Sequence, residues 1–256
     1  MQHIFRADNL RNLLITISYD GKNFHGWQIQ KNALTVQEVF QNALLKIIGE
    51  DVDVKGCSRT DSGVHANMYC ISLKTSHPIE CIRLKSALNR WLPLSIAVLD
   101  CIEVDDDFHA RYSCVSKEYV YKIWNNQVRN PFLDGYALHY RYKIDEKLLD
   151  KASKAYLGKH DFTSFCTLDK REKGDMTRNV KNFSVVRDGD LITMTVEADG
   201  FLYNMVRIMV GTLLRVQQGK IPADSIADII KKKDRAFAGP TAQACGLYLN
   251  KVNYLL

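Results

Sequence analysis

The order of strands and helices constrains this chain most. Residues 10–19 form an apolar run ending at Asp20-Gly21, which reads as a strand and its turn. Thr35 then caps a helix, with Glu38 three residues on as the other half of a capping box. Val36, Val39, Phe40, Ala43, Leu44, Ile47 and Ile48 follow at helical spacing, so that helix buries one face. Gly49 stops it. Residues 52–58 and 68–73 read as strands, and Pro78 opens a helix that runs to Trp91. Residues 96–104 are a further strand. The series is β-α-β-β-α-β, the split βαβ arrangement of a ferredoxin-like unit.

The second half repeats this order. Residues 118–124 alternate, with Tyr119, Tyr121 and Ile123 on one face. A helix follows Asp145, and residues 181–187 and 191–198 flank the hairpin signal Asp188-Gly189-Asp190. A helix over 203–217, a short helix from about Pro222 and a closing strand over 246–254 complete the set. The predicted fold class is therefore α+β, with two ferredoxin-like units, antiparallel sheets and an active-site cleft between them. The predicted domains are residues 1–107 and 108–256, divided at Asp105-Asp106-Asp107. No residue-level repeat links the halves, so an old duplication rests on pattern alone. Two loops, residues 22–31 and 169–178, are expected to be exposed and mobile.

Composition narrows the class. The apolar fraction of 46% and charged fraction of 25% are those of a folded globular chain, which excludes wholesale disorder. The formal charge of +6 suits a polyanionic partner without proving one. No run approaches the roughly 18 apolar residues of a membrane span. The first six residues lack the apolar core of a signal peptide. The seven cysteines are scattered, with no two-residue spacing. They read as reduced thiols in a cytoplasmic protein, and no metal is expected.

Chemistry concentrates between the strands over 52–58 and 68–73. The stretch Arg59-Thr60-Asp61-Ser62-Gly63-Val64-His65-Ala66 packs a cation, a carboxylate and an imidazole around one glycine. An Asp-Ser-Gly turn can simply satisfy its own backbone. An arginine two residues before the aspartate adds a second possibility, because a guanidinium holds a carboxylate ionised or binds a phosphate beside it.

This stretch closely resembles the signature of the tRNA pseudouridine synthase A family. Tyr19-Asp20-Gly21 with Gly26-Trp27-Gln28 agrees with that family, as do Asp107-Phe108-His109-Ala110-Arg111 and Lys117-Glu118-Tyr119-Val120-Tyr121. So do His160-Asp161-Phe162-Thr163-Ser164-Phe165, Met205-Val206-Arg207 and Gly246-Leu247-Tyr248-Leu249. The likeness runs from about residue 13 to residue 254.

The resemblance implies an isomerase that converts uridine to pseudouridine at positions 38, 39 and 40 in the anticodon stem-loop of tRNA. It implies no cofactor, because the reaction consumes nothing. It implies a homodimer with tRNA as partner. Asp61 aligns with the family's nucleophilic aspartate, whose attack at C6, attack at C1′ or removal of the C2′ proton the sequence leaves open. Arg59 would hold the extruded nucleotide or its phosphates. Tyr119 would stack on the uracil; its alternative is core packing. Arg207 would stand as a cation against the catalytic carboxylate, or snorkel to the surface. Leu247 would wall the base, or serve as plain core. His65 and His109 read as structural histidines. Ser58 and Glu118 depart from the family's usual glycine and basic residue.

Two other classes compete. A catalytically silent RNA-binding module of the same fold would gain little from an intact Asp61 facing phosphates. A glycoside or nucleoside hydrolase needs two facing carboxylates, and the motifs supply one.

Overall fold

The computed structural model describes residues 10–168 and 174–255. The segment before residue 10, and residues 169–173 of the second expected loop, lie outside the described residues. The chain is mixed α/β and divides into two compact units. One takes residues through Val115 and again from Val252; the other is Ser116–Lys251.

The first unit contains β1 (Arg11–Tyr19), α1 (Val36–Ile48), β2 (Lys55–Gly56), β3 (His65–Thr75), α2 (Cys81–Trp91) and β4 (Ile96–Val104). The strands lie in the order β4-β1-β3-β2, each pair antiparallel. Thr35 caps α1 by accepting the Glu38 N–H at 3.4 Å, and Gly49 ends it in the left-handed region at φ 73°. Phe40 and Leu44 are wholly buried from its inner face, each contributing about 1.5–3 kcal/mol relative to exposure. The other face of the sheet is covered by the chain after β4. Asn12 Nδ2 donates to the carbonyls of Asp105 and Phe108 at 2.8 and 2.9 Å, and Ser72 Oγ accepts the Ala110 N–H at 3.0 Å. The Asp107-to-Arg111 stretch is therefore a strap across the sheet.

Three expectations shift here. The strand over 52–58 shrinks to two residues, because Val52 and Val54 are buried outside the ladder. The next strand starts at His65, so the last two signature residues are in the sheet. The loop over 22–31 is exposed only in part: Phe24 and Trp27 are buried and anchor it.

The second unit contains β5 (Cys114–Trp124, whose first two residues belong to the first unit), β6 (Leu138–His139), α3 (Glu146–Ser153), β7 (Gly158–Asp161) and β8 (Thr177–Asp188). It continues with β9 (Leu191–Ala198), α4 (Met205–Gln217), α5 (Ile226–Lys232) and β10 (Leu247–Tyr254, whose last three residues belong to the first unit). The strands run β10-β5-β9-β8-β7, with β6 parallel to β5. β6 and β7 were not expected. They have only two and four residues and lack apolar alternation. α4 is buried over nearly its whole length, and Phe162, Phe165, Tyr156 and Phe183 form the aromatic core of the unit. Among the described residues no helix is long and apolar enough to cross a membrane. None of the seven cysteines, all among the described residues, is in a disulfide.

Candidate active site

In the first unit the chain leaves the sheet after Cys57, whose N–H donates to the Cys70 carbonyl at 2.9 Å. The Ser58 carbonyl then accepts the Tyr69 hydroxyl, and Thr60 Oγ1 lies 2.9 Å from the Tyr19 hydroxyl. The Val64 N–H donates to the Asp61 carbonyl at 3.1 Å and closes a turn, with Gly63 at φ 77°. Asp61 is half-buried and Arg59 is exposed. Both project from the same loop.

What fixes that loop is the chain after β1. The Trp27 N–H donates to the Thr60 carbonyl at 3.4 Å, and the Gly63 N–H donates to Phe24 O at 3.1 Å. Gly26 has φ 81°, and a Cβ there would stand 2.2 Å from Thr60 O. A Cβ on Gly21 would stand 1.9 Å from Val64 O. Only glycine permits these approaches. Trp27 stacks on Tyr69 with ring centroids 4.3 Å apart. Tyr69 in turn holds Ser58. The two glycines and Trp27 thus set the backbone on either side of Asp61. In the sequence Gly21 reads as part of a turn, and Gly26 and Trp27 stand out only as matches to a family pattern.

His65 Nδ1 lies 3.0 Å from the Gly21 nitrogen and 3.1 Å from Asp20 Oδ1. A ring nitrogen that accepts Gly21's N–H carries no proton for a carboxylate. The reverse assignment would orphan a buried N–H at a cost of about 1–3 kcal/mol. Asp20 Oδ1 also accepts the Lys22 N–H at 2.9 Å. His65 thus ties the start of β3 to the Gly21 backbone. At His109 burial, then the charge of Lys55, push the imidazole pKa down, and Nδ1 accepts the Arg111 N–H at 3.1 Å.

In the second unit Tyr119 lies on β5 with its ring edge-on to Phe201, centroids 5.0 Å apart, and is 6% exposed. Tyr121, on the same face, is fully buried and donates to the Gln243 carbonyl at 2.8 Å. Burial pushes its phenol pKa far up. Arg207 is half-buried. Its Nε donates to Ala242 O at 2.7 Å and its Nη1 to Asn204 Oδ1 at 2.9 Å. Asn204 begins α4 in the left-handed conformation, φ 62°, and also donates to Thr167 Oγ1 at 3.0 Å. A non-glycine residue there is uncommon and marks a held geometry. Nothing in the sequence singled it out. Leu247 opens β10 and is 5% exposed. It follows Gly246, where a Cβ would meet the Tyr121 ring at 2.8 Å. Arg207, Tyr121 and the chain from Ala242 to Leu247 thus form one cluster, with Tyr119 two residues along the same strand face. Glu118 is held by Asn250 Nδ2 at 2.6 Å.

Arg59 and Asp61 therefore share one loop of the first unit, and Tyr119, Arg207 and Leu247 belong to the second. Among the described residues no group of His, Cys, Asp and Glu side chains is arranged to hold a metal.

A family model described as tRNA pseudouridine synthase matches residues 15–113 and 152–255. Asp61, Arg207 and Leu247 fall within those ranges, and Tyr119 falls between them. tRNA pseudouridine synthase A of Thermoanaerobacter sp. (strain X514) is 45% identical over 245 residues, covering 96% of this chain and 100% of that protein. The protein of the same name from Acetivibrio thermocellus is 44% identical over 245 residues, with the same 96% and 100% coverage. tRNA pseudouridine synthase A 2 of Bacillus cereus is 37% identical over 246 residues, again covering 96% of this chain and 100% of that protein. The chain belongs to the tRNA pseudouridine synthase family, a family of isomerases.

Proposed function

We propose that this chain isomerises uridine to pseudouridine at positions 38, 39 and 40 in the anticodon stem-loop of tRNA. It acts in the cytoplasm as a homodimer, with no cofactor. In this reading Asp61 is the nucleophile. The target nucleotide is drawn out of its stack, since the reacting atoms are inaccessible within it. The N1–C1′ bond breaks, the uracil turns, and C5 bonds to C1′ while the C5 proton leaves and N1 takes one up, so the product has the composition of the substrate. Tyr119 stacks on the detached base and Leu247 closes over it, keeping it from diffusing away. Arg59 takes the extruded nucleotide or its phosphates. Arg207 supplies the positive charge that keeps the carboxylate ionised as water is excluded. Each unit is read as ferredoxin-like, with the first domain ending near residue 107.

The observation that carries the reading is the bracing of the Asp61 loop. A carboxylate that served only a surface turn would need neither backbone contact that demands glycine, at Gly21 and Gly26, nor a buried tryptophan beneath it. Preorganising one carboxylate is what covalent catalysis requires. The test is tritium release from tRNA carrying C5-tritiated uridine. Release that depends on the purified protein, with pseudouridine mapped to the three positions, supports the reading. Binding of the tRNA without release would make the protein a silent RNA-binding module.

A further inference from the structure

We propose that an open groove at the C-terminal end of α4 is a second RNA contact, binding the phosphodiester backbone of the substrate away from the reacting nucleotide. This rests on tRNA being the substrate. The groove encloses about 470 Å³ between the α4 terminus and the chain after β6. Arg215 and Lys220 border it from one side and Lys143 from the other. Arg141 lies close by, its guanidinium 5.4 Å from the Tyr142 ring centre. Among the described residues none of these four cations forms an ion pair.

The setting is built. The chain reverses at Gly219, φ 67°, so that the Lys220 N–H donates to the Arg215 carbonyl at 3.0 Å. Gln217 Nε2 donates to Lys143 O at 3.1 Å and ties the two sides together. Gln218 accepts from Arg215 Nη1 at 3.1 Å and donates to the Tyr140 hydroxyl at 3.3 Å, fixing the guanidinium. The nearest acid in sequence, Asp145, is engaged by the Leu148 N–H at 3.0 Å as the cap of α3. Cations at a helix C-terminus can merely offset its dipole. That role covers Arg215 and Lys220 but not Arg141 and Lys143, which come from another segment. Tyr142 is 65% exposed beside them. Cations beside an open aromatic face fit an RNA strand, with phosphates on the cations and a base on the ring. Arg215 lies eight residues beyond Arg207, about 12 Å along the helix. That is too far to serve a base held at Arg207, so the groove would take flanking backbone.

The test compares Lys143→Gln/Lys220→Gln with Lys151→Gln/Lys159→Gln, an exposed control pair in the same unit. Each removes two charges. Binding of unmodified tRNA is titrated across salt concentrations. The groove pair should weaken binding on the order of tenfold and lower the salt slope by about 1.8, roughly 0.9 for each phosphate no longer neutralised. The control pair should move neither by as much as half. Equal effects from both pairs, or none from the groove pair, would overturn the proposal. Failure of the parent protein to bind tRNA at all would instead refute the substrate reading, and the groove with it.

Discussion

Replacing Gly26 with alanine tests whether the chain after β1 sets the position of Asp61. Two costs arise. At φ 81° a Cβ adds about 1–2 kcal/mol of left-handed strain. The same Cβ would stand 2.2 Å from Thr60 O, so that carbonyl must retreat by more than 1 Å to reach ordinary contact at 3.4 Å. The retreat breaks the Trp27 N–H to Thr60 O hydrogen bond, worth about 0.5–1.5 kcal/mol. The sum is about 1.5–3.5 kcal/mol, or roughly 3–14 °C in melting temperature for a chain of this size. Asp61 follows Thr60 directly, and a displacement near 1 Å costs on the order of 100-fold in turnover. Two companions separate the effects. Gly49 has φ 73° with nothing within 4 Å of where an alanine methyl would stand, so Gly49→Ala should lose a few degrees and keep parental turnover. Gly21→Ala carries the clash without positive φ, 1.9 Å to Val64 O, and should lose turnover. Turnover is read as tritium release at saturating tRNA, and stability by calorimetry. Parental turnover in Gly26→Ala, or an equal turnover loss in Gly49→Ala, would show that the glycine contacts do not position Asp61.

Further outcomes follow from the same structure. Tyr119→Phe should retain most tRNA affinity, whereas Tyr119→Ala should lose about 1–3 kcal/mol of stacking; parental turnover in the alanine variant would exclude a base contact. The protein should sediment as a dimer at micromolar concentration, and a monomer with full activity would remove that claim. Burial alone would raise the Asp161 carboxyl pKa, but hydrogen bonds from Thr163 and Lys233, with Lys233 Nζ at 2.9 Å, hold it below its usual value. A depressed folded value gives stability that is complete above the unfolded pKa of about 3.9 and lost as pH falls through the folded one. Melting temperature should hold from pH 7 to about 5 and drop below about 4, with a smaller drop in Asp161→Asn.

Much of the fold was legible because its signals are local. The Thr35 cap, the apolar face of α1 and Gly49 all act within a few residues, and α1 forms as they dictate. β4 and β9 appear at the expected limits because they alternate cleanly or are flanked by turns. Pro78 misled the start of α2, which begins at Cys81. Pro222 did the same for α5, which begins at Ile226. Both prolines lie outside the helix, three and four residues ahead of its first residue. Arg207 illustrates the limit. Its neighbours in sequence mark a buried helix, but its partners, Ala242 and Asn204, are set by a remote loop and an unusual backbone angle. Gly21, Gly26 and Trp27 were named in the sequence, but their contacts escaped for the same reason: they touch a loop more than thirty residues away.

Every catalytic role proposed for the other residues depends on Asp61 as the reacting group, and Asp61→Asn isolates it. The change keeps size and removes charge, while phosphate contacts elsewhere carry tRNA affinity. Tritium release from C5-labelled tRNA should fall by at least 1,000-fold (on the order of 4 kcal/mol or more in transition-state stabilisation), with tRNA still bound within a few-fold of the parent. Release near the parental rate would mean that Asp61 is not the reacting group.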